Sequence, residues 1–142
     1  MEPLDLSKAP PRSPKLALDG LTMLPRTIDK MRATLPGGNP GVYRISGFSE
    51  RMLETIGVKE DDLRDVVANA KSDDDVVKWL RENADTSKYE EFSQYISKRS
   101  IDDVTDKAAF MERYPILKSR PDIYYLVDML EADDEEMFAG KK

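Results

Sequence analysis

The 142 residues (16.2 kDa) are 39% hydrophobic and 35% charged with a mean hydropathy of −0.60, enough for one domain with a real core and without an apolar run near the ~20 residues that a membrane-spanning helix needs. The absence of Cys and His excludes disulfides, thiolate nucleophiles, zinc-thiolate and iron–sulfur centres, imidazole bases and imidazole metal ligands. The net charge of −6 argues against nonspecific nucleic-acid binding, yet it is uneven: residues 1–44 carry seven bases and four acids, and the rest fifteen bases and twenty-four acids.

In chain order, Pro10, Pro11 and Pro14 are incompatible with an ordinary helix interior and predict an extended N-terminal segment over residues 1–18 that packs on the domain. Pro11-Arg12-Ser13-Pro14 fits a PxxP pattern in form, but a tail lying along the domain is the simpler reading. Leu24, Ile28, Met31 and Leu35 recur at helical spacing with Pro25 in the first turn, predicting a helix over 24–35. Pro36-Gly37-Gly38-Asn39-Pro40-Gly41 ends it as a turn, without the Lys-Ser/Thr of a phosphate-binding loop. A short extended piece at Val42 to Ile45 and a helix across Ser49 to Glu54, closed by Gly57, follow.

Glu60 or Asp61 caps a helix with Leu63, Val66, Val67 and Ala70 on its apolar face. Ser72 with Asp75, and Ser87 with Glu90, resemble capping boxes opening helices with Val76, Val77, Trp79 and Leu80, then Tyr89, Phe92 and Ile96. Asp102 or Asp103 starts a helix presenting Val104, Ala108 and Met111. Pro121 stands at a first helical position before Ile123, Leu126, Val127 and Leu130. The expected fold is all-α: an irregular bundle of six or seven short helices forming a single domain at 19–138, with a flexible tail at 139–142. No fixed repeat period is present. The acidic run Glu131 to Glu136 reads as a solvated face or frayed end rather than a metal site.

Leu24-Pro25-Arg26-Thr27-Ile28-Asp29-Lys30-Met31-Arg32-Ala33, with Asp5-Leu6-Ser7-Lys8, Pro10-Pro11-Arg12-Ser13-Pro14 and Gly20, resembles the uncharacterised bacterial family DUF5069. The resemblance runs more loosely through Tyr43, Phe48, Leu53, Gly57-Val58 and Val76-Val77-Lys78-Trp79, and covers the first 80 to 100 residues. Beyond Trp79 it weakens, with Gln94-Tyr95 where the family tends toward a Trp-Asn pair. It implies no activity.

On a helix Arg26, Asp29 and Lys30 share a side. Asp29 is expected to orient Arg26 through a salt bridge, with Lys30 as a flexible ammonium beside it and Arg32 turned toward the acidic body. A guanidinium and an ammonium held together bind carboxylate or phosphate. Arg12 and Arg44 converge there if the tail folds back, and Tyr43 lies close to Arg44 in sequence. Arg12, Arg26, Asp29, Lys30, Arg32, Tyr43 and Arg44 are therefore the candidate ligand-binding residues.

The first reading of this cluster is a structural salt-bridge network pinning the N-terminus to the bundle, in a protein with a scaffold or protein-interaction role. The alternative is a site for a small anion or acidic metabolite. In an enzyme, Asp29 would be the base, Lys30 or Tyr43 the acid or electrophile, and Arg26 or Arg32 the oxyanion partner, with no reaction class fixed. A lysine Schiff base would demand a strongly depressed Lys30 pKa, which Asp29 opposes by favouring the charged form. Trp79, Tyr89, Phe92 and Tyr95 read as core, and Tyr124 and Tyr125 as divided between core and surface. No cofactor, metal, nucleic-acid or membrane partner is expected. The partner is a small anion or a protein, a homodimer through one helical face stays open, and the opening residues, lacking a leader, point to the cytoplasm.

Overall fold

In the computed structural model, which describes residues 1–139, the chain first reverses at Asp19 and Gly20, whose φ angles of 53° and 82° suit a type I′ hairpin turn. The turn joins β1 (Ala17–Leu18) to β2 (Leu21–Thr22), antiparallel with Ala17 opposite Thr22 and Leu18 opposite Leu21. This small sheet is an addition to the expected all-α fold, and the Asp-Gly pair between two leucines is its signal. Arg81 holds the turn from outside, donating through Nε and Nη2 to the Asp19 carboxylate at 2.9 and 2.7 Å.

The fold is mainly helical. Helix α1 (Leu24–Arg32) starts with Pro25 in its first turn, after Met23 in a left-handed conformation. Leu24, Ile28 and Met31 form the predicted stripe and are fully buried, each contributing about 1.5–3 kcal/mol. The helix stops three residues before Leu35. Thr34 donates through Oγ1 to the Met31 carbonyl, and Gly38 donates its N–H to Leu35 O at 2.8 Å. A Cβ on Gly38 would meet Ala33 O at 2.5 Å, so this tight turn excludes any side chain there. Residues 42–45 form no strand: Val42 lies in a turn, 68% exposed, and Tyr43 is buried.

Helix α2 (Phe48–Ile56) ends as expected at Gly57, in the left-handed region at φ 73°. Helices α3 (Glu60–Asn69) and α4 (Asp73–Asn83) each begin with three acidic residues, favourable beside a helix N-terminus. The Ser72–Asp75 box is not reciprocal: Asp75 accepts from the Lys71 N–H, while the Ser72 side chain caps nothing. Nor does Ser87–Glu90 form a box. Asp85 instead accepts from Ser87 N in a 3₁₀ turn at Thr86–Lys88, directly before α5 (Tyr89–Lys98).

A capping box does form at Ser100 and Asp103, on a 3₁₀ turn at Ile101–Asp103. The single helix expected from Asp102 or Asp103 is broken after that turn. Helix α6 (Lys107–Arg113) starts afresh with Asp106 accepting from Ala109 N at 3.0 Å. Helix α7 (Ile116–Ser119) is an addition, Pro121 lies in the turn after it, and α8 (Leu126–Phe138) begins later than expected. The described residues thus hold eight α-helices rather than six or seven. None is long and apolar enough to cross a membrane. The expected tail at 139–142 falls, beyond residue 139, outside the described residues.

Two apolar clusters, both larger than a third around Leu6, Ala33 and Tyr43, organise the packing. The larger gathers α1, α2, α3, α4 and α5 around Ile28, Met52, Leu63, Leu80, Phe92 and Ile96. The smaller unites α7 and α8 through Ile116, Leu117, Leu126 and Met129. Phe48 and Leu130 pack against both. Tyr124 and Tyr125 do not divide between core and surface: both are exposed, and Tyr124 Oη donates to Asp102.

Candidate functional site

Seven of the nine residues of α1 are buried, Arg26 and Asp29 among them at 3% and 5% exposure. A helix enclosed on nearly every side has to pair its charges, because an isolated buried ion costs several kcal/mol. The expected Arg26–Asp29 pair is not how this is done. Arg26 donates through Nη1 and Nη2 to the carboxylate of Asp134 on α8, at 2.7 and 3.3 Å. Tyr43 Oη donates to the same carboxylate at 2.7 Å, and the Arg26 guanidinium lies 5.5 Å from the Tyr43 ring centre. Burial and the bond to Asp134 push the Tyr43 phenol far above its ordinary range. Asp134, expected on a solvated face, is therefore 5% exposed and the closing member of a buried triad.

Asp29 turns the other way. It accepts from Arg12 Nε and Nη2 at 3.1 and 3.0 Å and from the Arg12 backbone N–H at 2.8 Å. Arg12 also reaches the first residue of α4, donating from Nη1 to Asp73 at 2.7 Å. That bond, chiefly, holds the guanidinium proton more tightly than usual, with Asp29 adding to it. Arg26 Nη1 donates to Arg12 O at 3.2 Å, joining the two groups. Arg32 donates from Nε to Glu2 O and stands 4.0 Å from Asp29, and Arg44 donates to the carbonyls of Gly41 and Tyr43. Lys15 pairs with Asp128 and Glu131 of α8. Arg12→Ala leaves the Asp29 carboxylate with one backbone N–H and a distant Arg32. Urea unfolding is expected to show a loss of about 2 kcal/mol, with faster proteolytic cleavage before residue 17. Unchanged stability would mean that the clamp is ornamental.

Where the two apolar clusters meet, Phe48 and Leu130 wall a cavity of about 510 Å³. Arg26 and Lys30 from α1, Arg51 from α2, Arg99 after α5 and Arg113 from α6 line it, against the carboxylates of Glu50 and Glu54. Arg51 and Arg99 lie over the Tyr95 ring at 4.9 and 5.2 Å, and Arg113 over Tyr114 at 5.5 Å. Among the described residues no carboxylate comes within ion-pair distance of Arg51 or Arg113, and Arg99 has Asp103 at 3.7 Å. Arg26 Nε and Arg99 Nε are buried donors without an acceptor among these residues, and both residues line this cavity. Forked cations held against aromatic faces at the wall of a cavity favour carboxylate or phosphate.

Lys30 also lines a second concavity of about 410 Å³, with Tyr43, Arg44 and Arg64 on its rim. Burial first, then the nearby Arg26 charge, lower its pKa to about 8, with Asp134 acting weakly in the opposite sense. Of the seven residues singled out from the sequence, then, Arg26 and Lys30 line the larger cavity. Tyr43 and Arg44 border the second, and Arg12, Asp29 and Arg32 belong to the ion network. Arg51, Arg99 and Arg113 were not singled out. The placement of Arg99 four residues after Tyr95 is the one spacing that points to them.

The family model described as a domain of unknown function, DUF5069, matches residues 8–136. The match extends past the 100 residues suggested by the motifs and takes in the helix that carries Asp134. No curated protein matches the chain.

Proposed function

Since the chain belongs to DUF5069, a family that brings no activity with its name, we propose from the molecule's own geometry that it binds a small organic anion in the cavity between the two apolar clusters. The observation that carries this reading is that five basic side chains line one cavity and three of them, Lys30, Arg51 and Arg113, have no carboxylate within ion-pair distance among the described residues, while Arg26 and Arg99 have Asp134 and Asp103. Two of the five, Arg51 and Arg113, have exposed side chains and no carboxylate partner among the described residues, so their charge is available to a ligand. The ion pairs of Arg12 and Lys15 with α1, α4 and α8 support a second, structural role for the N-terminal bases. They favour reading 1–18 as a segment packed on a single domain of 19–138.

Isothermal titration with citrate and with pyrophosphate tests the anion site. Saturable binding of at least one is expected, and Arg51→Ala and Arg113→Ala each weaken it about tenfold, the size of one charge-assisted hydrogen bond. Both positions are exposed, so the unliganded melting temperature stays within a degree or two of the parent. Equal affinity in parent and variants, or no saturable binding, would refute the site.

A further inference from the structure

Lys30 occupies the wall between the two concavities and lines both. No carboxylate among the described residues lies within ion-pair distance of its Nζ, whereas every other base on α1 has one: Arg26 has Asp134, and Arg32 has Asp29. The two acids best placed by sequence or space to neutralise it are already engaged. Asp29 is held by Arg12, and Asp134 is shared between Arg26 and Tyr43. An ammonium half-withdrawn from water without a counterion is disfavoured, and the adjacent guanidinium disfavours it further. These are the two conditions under which a lysine becomes a nucleophile: desolvation and a neighbouring cation. The objection raised from sequence, that Asp29 would keep Lys30 charged, is removed by the direction in which Asp29 points.

We propose that Lys30 Nζ forms a reversible imine with an anionic carbonyl compound of the 2-oxo-acid class, whose carboxylate is held by the arginines of the same cavity. The inference rests on the anion-binding reading above. The cavity selects for negative charge, and within it the neutral amine selects for an electrophilic carbon. The Nζ lone pair adds to the carbonyl carbon as the π pair moves to oxygen; the nitrogen gives up one of its protons and the oxygen takes one up, giving a carbinolamine. The carbon–oxygen bond then breaks and the oxygen leaves as water, with the second proton drawn from solvent. The nitrogen lone pair forms the C=N bond and keeps one hydrogen, so the product is a protonated imine. One water is released, and neither oxidant nor reductant takes part. With a pKa near 8, about a tenth of the amine is in the reactive form at pH 7.

The full-length protein is incubated at pH 7 with pyruvate and sodium cyanoborohydride, which reduces imines as they form, and the labelled lysines are located by peptide mass spectrometry. Lys30 is expected to be labelled at least tenfold faster than any other lysine. Arg51→Ala and Arg113→Ala should slow pyruvate labelling about tenfold while leaving labelling by uncharged acetone unchanged. The outcomes separate the two readings. If pyruvate or citrate binds saturably but Lys30 is labelled no faster than surface lysines, the imine is overturned and the anion site stands. If no anion binds and labelling is indiscriminate, both fall. Preferential labelling of Lys30 by acetone and pyruvate alike, indifferent to the arginines, supports a reactive amine and overturns the 2-oxo-acid assignment.

Discussion

Arg26→Ala is expected to lose fold stability before it loses a ligand, with the folding free energy falling by about 3–5 kcal/mol. The guanidinium is 3% exposed and its partner Asp134 is 5% exposed. Truncation strands a buried carboxylate with Tyr43 Oη as its remaining donor. For a chain of this size the loss corresponds to roughly 10–20 °C in melting temperature. Asp134→Ala should cost a similar amount, because among the described residues it leaves the guanidinium with the Arg12 carbonyl at 3.2 Å as acceptor. The two losses are not additive: a double-mutant cycle by urea unfolding should show a coupling of 2 kcal/mol or more. Replacing the pair together, Arg26→Met with Asp134→Leu, is expected to recover most of the stability, since two apolar groups need no counterion. If Arg26→Ala cost less than about 1 kcal/mol, the pair would have to be open to water, and the account of α1 as an enclosed helix would be wrong.

Lys30→Met should have the opposite sign and make the protein more stable at pH 7. Folding lowers the Lys30 pKa from 10.5 to about 8, through burial and then through Arg26. Below pH 8 both folded and unfolded chains carry the proton, and the folded chain bears the full penalty of a half-buried charge with no carboxylate partner among the described residues. Between pH 8 and 10.5 the folded chain gives up that proton while the unfolded chain keeps it, so the penalty declines as pH rises. Above 10.5 both are neutral and it is gone. The difference corresponds to about 3 kcal/mol. Urea unfolding should therefore find Lys30→Met stabilised by that order at pH 7, with the advantage shrinking toward zero by pH 11. A variant less stable than the parent at pH 7 would show that the ammonium has an acceptor. The same substitution abolishes labelling at position 30, so stability and reactivity are opposed at this residue.

Much of the helical framework is legible in the sequence because it depends on local chemistry. Leu24, Ile28 and Met31 make one stripe, Gly57 closes α2, and Phe92 and Ile96 mark the buried face of α5. The C-terminal third is read less well. Val104 to Asp106 interrupt what periodicity joins, and α7 has only four residues, too few to show a period. The DUF5069 resemblance is carried by the string around α1, and the family match bears it out over most of the chain. Lys30 and Arg26 were recognised as neighbours on one helix. Their different fates depend on Asp134, and no rule of spacing connects positions 26 and 134. Arg51, Arg99 and Arg113 come from three separate parts of the chain, and only the meeting of two apolar clusters brings them to one wall.

The contact between Arg26 and Asp134 spans 108 positions. At synthesis rates of about 5–20 residues per second, Arg26 is made roughly 5–20 s before its acceptor. During that interval a central helix with an uncompensated guanidinium cannot be sealed among the apolar side chains of α2, α3 and α5. Burial of the Arg26 side chain in α1 is therefore expected to wait for α8, which supplies its carboxylate.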